Sequence, residues 1–302
     1  MRFSNPNMLL YIAMADAYAV AVEYNNALEG KCLEFQGYLA HPTHGLPAGS
    51  YTDDTEMSVA NALVLIQQPG FFTKLAFADA YVAEFKTGGR RKGYSKGFQT
   101  VLELVRSGKE LLALIDPTSV KNGAAMRAVP IGVLPTVGKV LEVATLQASI
   151  THDTPEGRFS ARAVALMSHF ALYENTVLPG LGRFCQRYLP EEDVRYFGDA
   201  IFRPWPCGPV KASPGTSVAI ATVQAVVTVL AQENSLMGIL RQVIKWGGDT
   251  DSVAAIAWGI ASARYHGDKL PSFMERDLEG GSTKTGAARL RKLGELLMYK
   301  YQ

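Results

Sequence analysis

Apolar residues recur three and four positions apart along most of the chain, and few runs alternate strictly with a period of two. This pattern predicts an all-α protein, because side chains at that spacing share one face of a helix. Proline and glycine end some of these runs, as Pro69 and Gly70 do. Helices are predicted over residues 8–22, 57–66, 71–85, 97–107, 124–134, 139–150, 155–174, 181–188, 217–232, 236–245, 252–265 and 284–299.

The predicted helices are spread evenly, with no Gly/Ser-rich or charged linker between them and no repeat with a period of about 20 to 50 residues. We therefore expect one compact domain of orthogonally packed helices over residues 1–302. Proline and glycine cluster at 203–215, which predicts a loop or a lid. The basic run from Arg90 to Lys92 could face a diphosphate or an acidic protein surface, but a solvated loop is the favoured interpretation.

Composition excludes several classes of protein. The 30 Lys and Arg residues nearly balance the 28 Asp and Glu residues, so there is no sign of a nucleic-acid groove. Three scattered cysteines are too few for a disulfide framework or a zinc site. The apolar stretches 8–22 and 217–231 are shorter than the roughly 20 residues of a membrane span, and the N-terminus lacks the build of a signal peptide. We expect a cytoplasmic monomer that binds neither nucleic acid nor membrane.

Two acidic segments precede predicted apolar helices. In the first, Thr52 is followed by the adjacent carboxylates Asp53 and Asp54; in the second, two glycines precede Asp249 and Asp251. Acidic residues at a helix start cap free backbone N–H groups, and that role alone could explain either segment. A cap does not require adjacent aspartates that repel one another, however.

Considered together, the two segments indicate a cation site. They supply only hard oxygen ligands, which favour Mg²⁺, Mn²⁺ or Ca²⁺ over zinc. A calcium loop of the EF-hand kind is excluded, because the chain continues as an apolar helix where further ligands would be needed. If the two helix starts meet in the fold, a pair of cations with bridging oxygens would offset the charge. The six candidate ligands are Thr52, Asp53, Asp54, Asp249, Asp251 and Ser252.

The first predicted helix carries an acid, Asp16, in an apolar setting where an unpaired charge is costly. Asp16 could be a hydrogen-bonded core residue or could support an active site. Glu23 lies seven residues further on, about two helical turns away and on roughly the same face if the helix continues.

The motifs of this chain resemble those of the ADP-ribosylglycohydrolase family, in the same order over roughly residues 8 to 270. Residues 15–19 with Glu23 resemble the first motif, although Ala15 and Ala19 replace glycines. Residues 52–57 match the Thr-Asp-Asp-Thr-x-Met motif in full. Residues 122–127 with Pro130 and Gly132, residues 151–153 and residues 247–252 match three further motifs, with Ser252 where many members have threonine.

The resemblance implies an all-α fold with a central cleft that holds two divalent cations, Mg²⁺ or alternatively Mn²⁺. It implies that the six oxygen donors above are the metal ligands and that Glu23 lies beside the cleft as a ligand, a gate or an acid–base group. Candidates for proton transfer are Glu23, Asp53, Asp54, Asp249 and Asp251, with no base singled out. The residues that match positions lining an ADP-ribose pocket are Gly93, Tyr94, Ser95, Asn122, Gly123, Met126 and His152. His152 could instead be a structural histidine.

The leading hypothesis is a Mg²⁺-dependent glycosidic-bond hydrolase that removes ADP-ribose from modified protein side chains, so the expected partner is an ADP-ribosylated protein or ADP-ribose. Two alternatives stay open. One is a non-catalytic, crystallin-like or ADP-ribose-binding member of the family; the other is a hydrolase of a free metabolite such as O-acetyl-ADP-ribose. The sequence does not specify the linkage or the target protein.

Overall fold

A computed structural model describes all 302 residues. It contains 17 α-helices, five short 3-10 helices and only isolated β-bridges, so the prediction of an all-α fold is confirmed. The α-helices are α1 Met8–Ala19, α2 Glu29–Cys32, α3 Asp53–Gln67, α4 Lys74–Thr87, α5 Lys96–Leu104, α6 Gly108–Leu114, α7 Gly123–Met126, α8 Val137–Ala148, α9 Pro155–Tyr173, α10 Leu181–Tyr188, α11 Glu191–Phe197, α12 Asp199–Phe202, α13 Val218–Gln232, α14 Leu236–Trp246, α15 Thr250–Tyr265, α16 Phe273–Arg276 and α17 Ala287–Tyr301. The 3-10 helices are Val20–Val22, Asn26–Leu28, Val129–Val133, Leu178–Gly180 and Leu278–Gly281.

The predicted helices correspond to observed ones, with three kinds of difference. α3 begins four residues earlier than predicted, because Asp53 and Asp54 form its first turn. The segments predicted at 8–22 and 124–134 are each divided, the first into α1 and a 3-10 helix and the second into α7 and a 3-10 helix that contains Pro130, and α5 ends three residues before the predicted end at 107. The short helices α2, α6, α11, α12 and α16 lack a long apolar repeat and were not predicted.

The central helix pair is α1 and α15. Every residue of α1 is buried, and α1 packs along α15, whose first 14 residues are also buried. A side chain on Gly259 would lie 2.6 Å from Cγ1 of Ile12, so the absence of a Cβ permits this close approach. Eighty-nine buried apolar residues form one continuous core, which supports the prediction of one domain.

α3 contacts both helices of the central pair, and its N-terminus and that of α15 carry the two acidic segments. The two apolar stretches flagged above are buried helical segments, and none of the helices combines the length and the apolar character of a membrane span. The segment at 203–215 is irregular, as predicted, with Val210 bridged to Gly248.

Candidate active site

One cavity of about 490 Å³ gathers the acidic residues of both segments. Asp53 and Asp54 reach it from the start of α3, whereas Asp249 and Asp251 reach it from the start of α15. The predicted site residues that line the cavity are Glu23, Asp53, Asp54, Gly93, Ser95, Asn122, Gly123, Met126, His152, Asp249, Asp251 and Ser252. Thr52 and Tyr94 lie behind this lining. The structure therefore brings together segments that are about two hundred residues apart in the chain.

The start of α3 is organised by Asp16, which is fully buried. Its carboxylate accepts hydrogen bonds from the backbone N–H groups of Thr52 and Thr55, at 3.0 and 3.1 Å, and from both of their hydroxyl groups. Burial raises the pKa of Asp16 to about 6, although these hydrogen bonds oppose the rise. Asp16 therefore supports the site from behind and does not line the cavity.

Thr52 caps α3, because its side chain accepts a hydrogen bond from the backbone N–H of Asp54. Its hydroxyl oxygen also lies 3.0 Å from Asp16 Oδ1 and 3.2 Å from Asp54 Oδ2. Ser252 on α15 lines the same cavity as Asp54, and its hydroxyl partly opposes the rise in the pKa of that carboxyl.

The start of α15 is held by the backbone instead. Gly247 and Gly248 both have positive φ, and a Cβ on Gly248 would lie 2.2 Å from the carbonyl oxygen of Val210. The N–H of Val210 donates to Gly247, and the N–H of Asp249 donates back to Val210 at 2.8 Å. The hydroxyl of Thr250 donates to the carbonyl of Ala19 at 2.8 Å and joins this turn to the end of α1.

Glu23 reaches the cavity from a position that the sequence pattern did not predict. α1 ends at Ala19 and a 3-10 helix follows, so the expectation that Glu23 continues the face of Asp16 along one helix is wrong. Carboxylate oxygens of Glu23, Asp249 and Asp251 lie within 4.8 Å of one another. Asp249 also accepts hydrogen bonds from the Tyr24 hydroxyl at 3.2 Å and the Asn122 side-chain amide at 3.3 Å.

Burial and mutual repulsion disfavour the charged forms of these carboxylates. The pKa values of Asp53, Asp54 and Asp251 are well above the ordinary aspartate value, first because of burial and then because of neighbouring acids. The same causes raise the pKa of Glu23 to about 8. Asp54 Oδ1 and Asp251 Oδ1 are buried without a hydrogen-bond partner. Buried oxygens of this kind are satisfied by a proton, a water or a cation, and an all-oxygen donor set fits a hard divalent ion.

Gly93 packs against the start of α3, where a Cβ would lie 3.6 Å from Asp53 Oδ1. Tyr94 is turned away from the cavity and donates to Glu56 at 2.6 Å. The expectation that Arg91 lies in a solvated loop is wrong: its guanidinium is buried, pairs with Glu56 and bidentately with Glu279, and fixes this loop.

A chain of hydrogen bonds fixes the tautomer of His152. Arg127 donates to the Thr151 hydroxyl at 2.9 Å, and the one acceptor that the proton of this hydroxyl can reach is His152 Nδ1, at 2.6 Å. This pattern assigns the ring proton to Nε2, which is buried and unpartnered in a residue that lines the cavity. Burial and the charge of Arg127 lower the pKa of His152 to about 3, so the ring is neutral at neutral pH and offers one N–H donor.

Sequence reasoning did not single out Tyr24, Arg127, His41 and His44 as parts of the site. The sequence gives no signal for Tyr24, because its positive φ can be seen only in the structure. Arg127 lies within the motif at residues 122–127. His41 and His44 are three positions apart in a short loop that contains glycine and proline, and the search for helical patterns did not consider such loops.

The fold and the cavity define an all-α protein with an acidic, oxygen-lined active-site cleft. The family model described as ADP-ribosylglycohydrolase matches residues 7–300, and the chain belongs to the ADP-ribosylglycohydrolase family. Membership of this family of glycosidic-bond hydrolases confirms the prediction of an enzyme.

Named relatives cover most of the chain. The ADP-ribosyl-[dinitrogen reductase] glycohydrolase of Rhodospirillum rubrum is 27% identical over 87% of this chain and 86% of its own length. The human ADP-ribosylhydrolase ARH3 is 26% identical over 76% of this chain and 75% of its own length. A solved structure described as an ADP-ribosylglycohydrolase-related protein complex matches with a TM-score of 0.73 over 99% of this chain and 98% of that chain; at 21% identity, this likeness concerns the fold.

Proposed function

We propose that this enzyme is a Mg²⁺-dependent hydrolase, with Mn²⁺ as an alternative cation, that removes ADP-ribose from modified protein side chains. The observation that carries the proposal is the convergence of Glu23, Asp249 and Asp251 within 4.8 Å in the cavity that Asp53 and Asp54 also line. The two relatives described above, an ADP-ribosyl-[dinitrogen reductase] glycohydrolase and an ADP-ribosylhydrolase, support the same substrate class.

The donor set supports a pair of cations. Asp54 and Asp251 each have a buried oxygen without a partner, and the neighbouring acids would repel one another without positive charge. Bound cations would hold sugar hydroxyls and lower the pKa of a bound water. The residues that would hold them are Thr52, Asp53, Asp54, Asp249, Asp251 and Ser252, with Glu23 beside them.

The other residues of the cavity would bind and orient the substrate. His152 presents an N–H group that can donate to a phosphate oxygen, and it does so as a neutral ring. Gly123 lies beside it, since a Cβ on Gly123 would be 2.8 Å from His152 Cε1, and Asn122 lines the same cavity. Gly93 and Ser95 line the cavity, with Gly93 next to Asp53, while Tyr94 anchors their loop through Glu56.

Hydrolysis at the anomeric carbon breaks the bond to the protein side chain and forms a bond to a water oxygen. A carboxylate in the cavity would take the proton of that water, and an acid would protonate the leaving group. Glu23 differs from the aspartates because it lies on a connecting segment rather than at a helix start, and its side chain is 20% exposed. We propose Glu23 for one of these two proton transfers.

The decisive experiment measures release of ADP-ribose from arginine- and serine-ADP-ribosylated proteins, with Mg²⁺ and with EDTA. We expect release with Mg²⁺ and almost none under chelation. Asp53→Asn and Asp249→Asn should lower the rate by at least about a hundredfold, because each removes a charged ligand. Asp199→Asn is the matched control, since Asp199 is exposed and distant in sequence from the cavity lining.

Folded Asp53→Asn and Asp249→Asn proteins that work at the wild-type rate would refute the proposal. O-acetyl-ADP-ribose belongs in the same assay: release from that compound alone would assign the enzyme to a free metabolite. Binding of ADP-ribose without hydrolysis of any of the three substrates would favour a non-catalytic family member.

A further inference from the structure

The backbone of Glu23 is held by a hydrogen bond from a histidine side chain. His41 is buried, and its Nδ1 accepts hydrogen bonds from the backbone N–H groups of Thr43 and His44, both at 3.2 Å. This pattern assigns the ring proton to Nε2, which donates to the carbonyl oxygen of Glu23 at 2.9 Å. The carbonyl follows the last turn of a 3-10 helix, where it would otherwise lack a helical partner.

A second histidine reaches the side chain of the same residue. The ring of His44 stacks on that of His41, with centroids 3.5 Å apart and planes at 26°. In this orientation His44 Nδ1 lies 3.4 Å from Glu23 Oε2. The His44 side chain is 31% exposed, so it closes over Glu23 from the solvent side.

The chain on the other side of Glu23 is also fixed. Tyr24 has a φ of 47°, its N–H donates to the carbonyl of Gly248 at 2.8 Å, and its hydroxyl donates to Asp249. The Glu23 backbone thus has little freedom, whereas its carboxylate accepts no hydrogen bond and is paired with a single basic side chain, that of His44, within 4.0 Å.

We propose that His41 and His44 form a bracket that positions the carboxylate of Glu23 toward Asp249 and Asp251. His41 fixes the backbone of Glu23 and provides the ring on which His44 stacks. His44 orients the Glu23 carboxylate, so both histidines are positioning residues. The inference rests on the proposed function for its consequence in catalysis, but the placement of Glu23 can be measured without it. Loss of an outer contact to a metal-site carboxylate typically lowers affinity or activity by about 10- to 100-fold.

The first test is structural and needs neither metal nor substrate. Crystal structures of the metal-free wild-type protein, His44→Ala and His44→Asn should show the Glu23 carboxylate beside Asp249 in the wild type and in His44→Asn, whose amide nitrogen can replace Nδ1. In His44→Ala the carboxylate should leave that position while its carbonyl stays on His41. A carboxylate that keeps its place in His44→Ala would overturn the bracket.

The second test is a double-mutant cycle with Mn²⁺ alone as the probe, followed by electron paramagnetic resonance of the free ion. Glu23→Gln and His44→Ala should each weaken Mn²⁺ binding by about tenfold or more. The double variant should bind no more weakly than Glu23→Gln, because His44 acts only through Glu23. His266→Ala, an exposed histidine, is the control and should match the wild type.

Wild-type Mn²⁺ affinity in His44→Ala, or losses that multiply in the double variant, would contradict the inference. The urea midpoint of His44→Ala should match that of the wild type, which separates positioning from folding. If the wild-type protein binds no Mn²⁺ and releases no ADP-ribose, the proposed function fails, and the metal-free crystal structures still decide the bracket.

Discussion

The starts of α3 and α15 present the same chemistry to one cavity, yet they are built in different ways. At α3, a fully buried carboxylate, Asp16, accepts hydrogen bonds from the backbone and hydroxyl groups of Thr52 and Thr55. At α15, two glycines with positive φ allow the backbone to pair with Val210. One acidic helix start is therefore held by a side chain and the other by its own backbone.

Because the starts of α3 and α15 are held in different ways, different substitutions should disrupt them. Asp16 concentrates several hydrogen bonds on two oxygens, so one substitution removes them all. The turn before α15 depends on the absence of a Cβ at Gly248, because Val210 approaches to within 2.2 Å of the position that a Cβ would take. Substitutions at these two residues should thus damage the same cavity through different physical causes.

The largest effect should come from Asp16→Ala. The substitution leaves the N–H and hydroxyl donors of Thr52 and Thr55 without an acceptor in a buried site, at about 1 to 3 kcal/mol for each unsatisfied group that finds no water. We expect a loss of more than about 3 kcal/mol in the free energy of unfolding, measured in urea, together with loss of ADP-ribose release.

Asp79→Ala is the control for Asp16→Ala. Asp79 also accepts a backbone hydrogen bond, from Gly108 at 2.6 Å, but its residue is exposed and makes only that bond. Its removal should cost about 1 kcal/mol and leave the activity unchanged. A loss in Asp16→Ala no larger than that in Asp79→Ala would show that Asp16 does not organise α3.

Gly248→Ala tests the other region. Its φ of 80° is unfavourable for alanine, and the added Cβ would collide with the Val210 carbonyl. We expect a loss of about 2 to 3 kcal/mol in the free energy of unfolding, because strain at such a position costs about 1 to 3 kcal/mol and the clash adds to it. ADP-ribose release should fall as Asp249 is displaced.

Gly208→Ala separates strain from collision. Gly208 has a similar φ of 77° but open space around its Cβ position, so alanine should cost only about 1 kcal/mol. Equal losses in the two variants would mean that the contact with Val210 is unimportant, and a fully active Gly248→Ala protein would contradict its role in placing Asp249.

Local pattern predicted the two helix starts because each combines acidic residues with the apolar run of a buried helix. α10 was predicted with its observed ends, and α13 within one residue, since both have clear stop signals. The ligands could be proposed because hard cations require oxygen donors. That the two starts meet is a property of the packing of α1, α3 and α15, which a single sequence does not encode in any local window.

Local sequence patterns could not identify the residues whose roles depend on tertiary contacts. Arg91 resembles its neighbours Arg90 and Lys92 in sequence, and only the fold places it between Glu56 and Glu279. Glu23 was selected by resemblance, but its position depends on the end of α1 at Ala19, where the change to a 3-10 helix rotates it out of the predicted register. His41 and His44 gain a role only because their loop returns to that end.

The smallest effect should come from exchanging the hydroxyl residues of the two starts. Thr52→Ser and Ser252→Thr both keep the hydroxyl oxygen, which in Thr52 lies 3.2 Å from Asp54 Oδ2 and in Ser252 lines the cavity, so ADP-ribose release should change by less than about threefold, equivalent to about 0.6 kcal/mol of activation free energy. Thr52→Ser should also lose about 0.8 kcal/mol of stability with its buried methyl group. Thr52→Val keeps the shape and removes the hydroxyl, which leaves the N–H of Asp54 uncapped, and it should lose far more activity. An active Thr52→Val protein beside an inactive Thr52→Ser protein would show that the methyl group, and not the oxygen, matters at the start of α3.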